Sequence, residues 1–161
     1  DHGHSLELLK AVERVNENQK SVLFQKITSH FGRDLKGRRF AMWGLSFKPG
    51  TDDLREAPSL VLIDKLLEAG AEVCAFDPVA MEECRRRIGD RVVYAENMYD
   101  ALTDADALIV VTEWAEFKIP KFTFIEKALK HKIIFDGRNI YSPEQMKEFG
   151  YVYYGIGRRK E

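Results

Sequence analysis

Three stretches of this 161-residue chain hold residues able to do chemistry, and each directly follows a short apolar run. The first is Gly44-Leu45-Ser46-Phe47-Lys48-Pro49-Gly50-Thr51-Asp52-Asp53-Leu54-Arg55-Glu56-Ala57-Pro58-Ser59, after Arg39-Phe40-Ala41-Met42-Trp43. The second is Thr112-Glu113-Trp114 and the third Asp136-Gly137-Arg138-Asn139. Together they offer Lys48, Arg55 and Arg138 as cations and Phe47 and Trp114 as flat surfaces. Gly44 and Gly137 allow backbone to approach a ligand closely. A phosphate dianion, or a group of higher charge, fits this set better than a neutral ligand does. Taken singly, the same residues have plainer readings. Phe47 and Trp114 also suit a core, and Lys48 and Arg138 also suit a solvated surface. Asp52 and Asp53 also suit a helix cap and a loop.

What raises the set above its members is the order of elements around it. From Ser5 to Phe31 there is no proline, and Leu6, Leu9, Val12, Val15, Leu23 and Ile27 recur at three- and four-residue spacing. This predicts one long amphipathic helix, with Ser5 as its N-cap and Gly32 at its end. Apolar strands then alternate with helices. Strands are predicted at Arg39–Trp43, Glu72–Phe76, Val92–Tyr94, Ala107–Val111 and Lys132–Phe135, with an edge strand at Val152–Tyr154. Helices are predicted at Ser59–Ala69, Met81–Ile88, Met98–Leu102 and Thr123–Leu129, and another begins at Ser142-Pro143-Glu144. The fold class is therefore α/β: a Rossmann-like, doubly wound, mainly parallel sheet preceded by a long N-terminal helix. Ligands in such folds sit beyond the carboxyl ends of the strands, where the three stretches lie. The helix after the first of them adds amide donors and a positive dipole end.

Composition narrows the function. Twenty-five basic residues nearly cancel 26 acidic ones, for a net charge of -1. Such a balance points to no general nucleic-acid or membrane-surface binder. Cys74 and Cys84 have neither zinc-ligand spacing nor the numbers for a disulfide framework, so a reduced, cytoplasmic setting is expected and no metal site. No apolar run is long enough to span a bilayer. The polar start, Asp1-His2-Gly3-His4-Ser5, lacks a methionine and reads as a cut point in something longer. Asp77 invites the reading of a ribose-binding acid, but no G-x-G-x-x-G follows the first strand. Asp77 also lies 33 residues beyond Gly44, where about 20 is usual. Asp77-Pro78 is expected to shape a turn instead. No catalytic set is expected either. Cys74 falls within a buried strand, Cys84 on a solvated helix face beside Arg85, Arg86 and Arg87, and His30 and His131 have no evident partners.

The run Gly44-Leu45-Ser46-Phe47-Lys48-Pro49-Gly50-Thr51-Asp52-Asp53-Leu54-Arg55-Glu56 strongly resembles the signature of the UDP-glucose/GDP-mannose dehydrogenase family, in its UDP-binding C-terminal domain. Phe76-Asp77-Pro78, Thr112-Glu113-Trp114 and Phe135-Asp136-Gly137-Arg138-Asn139 match further motifs of that family in the right order. The helix with Asn16 and Gln19 looks like the end of the family's central linker. The resemblance implies two parts: 1–35, the end of a linker and dimerisation helix, and 36–161, a UDP-sugar-binding domain. It implies that Phe47 and Lys48 contact the UDP-sugar, that Arg138 binds its nucleotide portion, and that Arg55 reaches toward the phosphates of NAD. It also implies a parent enzyme that oxidises a nucleotide sugar twice at C6 with two NAD, through a cysteine thiohemiacetal. The NAD-binding domain and the catalytic cysteine would lie N-terminal to this chain, which alone would bind UDP without turnover. A homodimer is implied as well. Glu56-Ala57-Pro58-Ser59, Asn97-Met98-Tyr99 and Tyr153-Tyr154-Gly155-Ile156-Gly157-Arg158 look more like UDP-glucose enzymes. A GDP-mannose or UDP-N-acetylhexosamine dehydrogenase domain, a non-catalytic nucleotide-binding module and a purely structural dimerisation unit stay open as alternatives.

Overall fold

The computed structural model describes residues 2–157, and the side chains of 5–11 and 20–157. Six strands form one sheet: β1 (Arg39–Trp43), β2 (Glu72–Phe76), β3 (Val93–Tyr94), β4 (Ala107–Val110), β5 (Ile133–Asp136) and β6 (Val152–Gly155). The order across the sheet is β3-β2-β1-β4-β5-β6, and all five pairings are parallel. This is the doubly wound arrangement, with its switch point between β1 and β4. The helices are α1 (His2–Phe31), α2 (Pro58–Glu68), α3 (Met81–Ile88), α4 (Ala115–Lys118), α5 (Phe122–Ala128) and α6 (Pro143–Glu148).

Residues alternate between two faces along each strand, which explains why the strands read as continuous apolar runs: both faces are covered. Phe40, Met42, Ala75, Ile109 and Phe135 join one core with Leu23 and Ile27 of α1, Leu62, Ile63 and Leu66 of α2, and Cys84 of α3. Ala41, Trp43, Leu108, Val110 and Ile134 join a second core with Phe117 of α4, Ile125 of α5 and Met146 of α6. The indole of Trp43 is fully buried and donates to the Met98 carbonyl at 2.7 Å, so the largest side chain of β1 leaves no polar atom stranded.

The structure departs from the sequence expectations at several points. The N-terminal helix runs past Ser5 to His2, so Ser5 lies inside it rather than capping it. Of its apolar stripe, Leu23 and Ile27 are buried, but Leu6 and Leu9 are more than half exposed; the side chains of Val12, Val15, Asn16 and Gln19 lie outside the described residues. Among the described residues α1 reaches the buried core through Leu23 and Ile27, while its described first turns, at Leu6 and Leu9, stand in solvent. The four-residue α4 was not expected. Met98–Leu102 contributes only a 3-10 turn at Asp100–Leu102. The N-cap of α2 is Ala57 and takes no side-chain bond, so neither Asp52 nor Asp53 caps that helix. Ser142 does cap α6, accepting from the Gln145 amide.

Cys84 overturns the expectation of a solvated face: it is fully buried. Met81, Cys84 and Ile88 share one side of α3 at spacings of three and four, and that side packs on the core while the three arginines face out. Burial pushes both thiols up from their ordinary value. Neither cysteine is expected to react with a disulfide reagent at pH 8 in the folded chain, and both should react once urea unfolds it; fast labelling of Cys84 in the native state would contradict this burial. His30 and His131 also have neighbours. His30 Nδ1 lies 2.7 Å from the Tyr154 hydroxyl of β6, and His131 Nε2 lies 3.8 Å from Asp106.

Candidate functional site

Parallel register places the strand ends in one row. Phe76, Trp43, Val110, Asp136 and Gly155 stand side by side, so the loops that leave them start from a common edge. Backbone bonds extend this row by one step: the amides of Gly44, Val111 and Gly137 donate to the carbonyls of Phe76, Trp43 and Val110 at 2.8, 2.9 and 2.8 Å.

Gly44 turns the chain out of β1 at φ +95°, in the left-handed region. A Cβ built there would lie 2.4 Å from Cβ and Oγ1 of Thr112, so only glycine lets the two loops close on each other. Thr112 then donates from Oγ1 to the Ser46 carbonyl at 2.7 Å, and both residues are buried. From the other side, Asp77 holds the same loop. Its Oδ2 accepts from the amides of Leu45 at 2.8 Å and Ser46 at 3.4 Å, and its Oδ1 from Val79 at 2.9 Å and Ala80 at 2.8 Å. Asp77 thus shapes its own turn, as expected, and also pins the loop after β1. Its carboxylate is spent on four backbone donors and is not presented to a ribose. Leu45, Leu54 and Ala57 anchor the loop in the core, while Phe47 and Lys48 between them stand exposed.

Arg138 ties the third loop to the other two. Its Nε donates to the Val111 carbonyl at 3.1 Å and lies 2.7 Å from Glu113 Oε2, and its Nη2 donates to the Phe47 carbonyl. Its guanidinium carbon stands 5.9 Å from the centre of the Phe47 ring. Arg138 is aimed by the turn that carries it. Asp136 is buried and accepts from the Arg138 amide at 3.0 Å, the Tyr141 amide at 3.1 Å and the Tyr153 hydroxyl at 2.6 Å. Asn139, at φ +53°, clamps the strand-end residue Ile156 by exchanging two bonds with its backbone, at 2.8 and 2.9 Å.

The structure therefore brings Phe47 and Arg138 together, with Lys48 next to Phe47 in the same exposed tip. Among the described residues Lys48 has no ion-pair partner. Arg55 sits apart: it is 80% exposed and forks onto Asp53, at 3.0 Å through Nε and 2.9 Å through Nη2. The Arg55 guanidinium holds the Asp53 carboxyl down at about 2. Any stabilisation from this pair is present above the ordinary carboxylate range near 3.8 and fades as pH falls through about 2. Carboxyl NMR is expected to show Asp53 titrating near 2 in the intact chain and higher in Arg55→Ala, short of the ordinary value because the residue-55 amide still donates to Oδ1 at 3.0 Å; equal midpoints would mean the fork does not persist in solution. Trp114 is half-buried against the second core, so it lines the structure rather than offering a free face. The first turn of α2 is tucked in as well: Ala57 and Ser59 are buried, and Ser59 donates to the Leu45 carbonyl.

Sequence reasoning gave no role to Glu113, Thr112, Ser46 or Asn139. The signal for Glu113 was an acid placed among cations, directly after an apolar strand. Among the described residues no group of three or more His, Cys, Asp or Glu is placed to hold a metal. Nor, among the described residues, is any helix long and apolar enough to cross a membrane.

Phe47, Lys48 and Arg138 thus stand on loops that leave one edge of a parallel sheet. The sequence model described as the UDP binding domain of the UDP-glucose/GDP-mannose dehydrogenase family matches residues 41–143, which contain all three loops. The chain belongs to this family. A UDP-glucose 6-dehydrogenase of Pseudomonas aeruginosa is 45% identical over 161 residues, and UDP-glucose 6-dehydrogenase TuaD of Bacillus subtilis is 39% identical over 156. Each match takes in 97% of this chain, but only 36% and 34% of the relative. The structure of a UDP-glucose dehydrogenase from Pyrobaculum islandicum superposes with a TM-score of 0.80 at 33% identity, over 98% of this chain and 35% of that one. The chain thus spans about a third of the length of the dehydrogenases it matches. Family membership and fold agree on the domain: an α/β, Rossmann-like UDP-binding domain of a dehydrogenase family.

Proposed function

We propose that this chain is the nucleotide-sugar-binding part of an NAD-dependent UDP-glucose 6-dehydrogenase. Residues 36–161 form the binding domain. Residues 1–35 end the helix that joins it to the rest of the enzyme and pairs two subunits. The parent reaction converts UDP-glucose to UDP-glucuronate in two oxidations, in the cytoplasm. Lys48 supplies a mobile charge for the diphosphate, Phe47 an apolar face beside it, and Arg138 a fixed set of donors for the nucleotide. Arg55 leaves its fork on Asp53 to meet the phosphates of NAD when the rest of the enzyme closes over the site. The dinucleotide supplies hydride acceptance, but this chain's own residues do not form a full site for it. Neither thiol is placed as a nucleophile, because both are buried. The chain alone therefore binds UDP and does not turn over.

The observation that carries this reading is the Arg138 guanidinium bonded to the Phe47 carbonyl beside an exposed Phe47 and Lys48. Calorimetry with UDP, UDP-glucose, GDP-mannose and NAD tests it. UDP and UDP-glucose are expected to bind, weakly, since part of the site and its preorganisation lie outside the chain. Arg138→Ala should weaken UDP by at least about tenfold, the loss of a charge-assisted contact. Tighter binding of NAD than of UDP would refute the assignment.

A further inference from the structure

We propose that Glu113 is the positioning residue for Arg138: it fixes the guanidinium plane so that the remaining donors face the ligand. This rests on the nucleotide-binding reading above and deepens it. A guanidinium has five N–H donors in a rigid fork. Two are committed inside the protein, Nε–H on the Val111 carbonyl at 3.1 Å and one Nη2 hydrogen on the Phe47 carbonyl, while Glu113 Oε2 forms an ion pair with Nε at 2.7 Å. The three acceptors come from two loops and lie along one edge of the fork. The opposite edge, with Nη1 and the second Nη2 hydrogen, has no partner among the described residues. Arginine on a loop would otherwise sample many rotamers, and freezing them on binding opposes affinity. Here the freezing is done beforehand. Both side chains are about one-third exposed, 32% for Arg138 and 35% for Glu113, so the pair is neither a free surface contact nor a sealed one. Two carbonyls alone would hold the fork less firmly, because neither carries the charge that Glu113 sets beside Nε.

Glu113 touches no ligand in this arrangement; it acts through Arg138. Its charge by itself would oppose an anion at the site. The two roles therefore predict opposite signs. A residue that merely adds negative charge weakens UDP, and its removal tightens binding. A residue that aims the arginine strengthens UDP, and its removal weakens binding.

The test is calorimetric titration with UDP of the unaltered chain, Glu113→Ala, Glu113→Gln, Arg138→Lys and the double variant Glu113→Ala/Arg138→Lys. The exchange rate of the Arg138 Nε hydrogen, read by nitrogen-15 NMR, accompanies it. Glu113→Ala is expected to weaken UDP roughly two- to fivefold, from the loss of one ion pair at a partly exposed site. Glu113→Gln removes the charge while keeping the size, and should weaken UDP to about the same extent. In the Arg138→Lys background, which has no fork to aim, Glu113→Ala should change nothing further. The Nε hydrogen, bonded to the Val111 carbonyl, should exchange slowly in the unaltered chain and faster in both Glu113 variants, once the ion pair no longer holds the guanidinium in place. Tighter UDP binding in both Glu113 variants overturns the proposal, as does an equal loss from Glu113→Ala with and without Arg138. If the unaltered chain binds no UDP yet Nε exchange is slow and quickens in Glu113→Ala, the positioning stands and the nucleotide reading falls. If Nε exchanges fast in the unaltered chain, the positioning itself is refuted.

Discussion

Gly44→Ala is expected to destabilise the chain by roughly 2–5 kcal/mol and to remove UDP binding with it. Two effects add at this position. The backbone stands at φ +95°, which a side chain opposes by roughly 1–2 kcal/mol. The new methyl would also lie 2.4 Å from the Thr112 side chain and 2.6 Å from its backbone nitrogen. A side chain can swing aside, but the backbone nitrogen lies just beyond β4, where Val111 is bonded to Trp43, and moves only if the two loops part. That parting breaks the Thr112–Ser46 bond and separates Phe47 from Arg138. Gly50 provides the control: it has φ +82°, but a Cβ there meets nothing within 4 Å. Gly50→Ala should show only the conformational part, roughly 1 kcal/mol, and keep UDP binding. Urea unfolding at constant m value measures both. Equal losses at the two glycines would mean that the close approach to Thr112 contributes nothing.

Asp77→Asn should be nearly as damaging, by roughly 2–4 kcal/mol. The buried carboxylate accepts four backbone donors, two on each oxygen. An amide has one acceptor oxygen, so its NH2 would face two N–H groups, either those of Leu45 and Ser46 or those of Val79 and Ala80. Two buried donors are then left unsatisfied and face a third. The loss should appear as a lower urea midpoint in the absence of any ligand. If Asp77 held a ribose instead, the variant would keep its stability and lose a dinucleotide. A stable Asp77→Asn chain with altered NAD binding would therefore reverse the reading of this residue.

Much of the fold was legible because it is written in local patterns. Phe40–Trp43 and Ala107–Val111 are apolar at every position, which only a strand covered on both faces tolerates. Pro58 just inside α2 and Gly70 just beyond it bracket that helix as the sequence implies, and Gly70 takes φ +97°. The loops after β1, β4 and β5 were placed at one edge by the parallel rule alone, and the register bears that out. The errors share a cause. Cys84 looked solvated because three arginines follow it, yet burial depends on which side of α3 meets the sheet. Ser5 looked like a cap because helix ends are set by what satisfies the first amides, and the turn from His2 continues that ladder. His30 looked solitary because its partner, Tyr154, is 124 residues away.

What the sequence by itself determined is the set of parts: strands, helices, the loop from Gly44 to Ser59 with its Lys48 and Arg55, and Arg138 at the end of another strand. Each follows from periodicity, punctuation or residue type within a short window. Only the tertiary structure decided how those parts bear on one another. Arg138 meets Phe47 across 91 residues, and Asp77 meets Leu45 across 32, because β1 lies between β2 and β4 with β5 next to β4. Strand order is a property of the whole chain, set by how two cores close around one sheet. A side chain's hydrogen-bond partners are inherited from that order, so the aim of Arg138, the commitment of Asp77 and the part played by Glu113 appear only when the strands stand side by side.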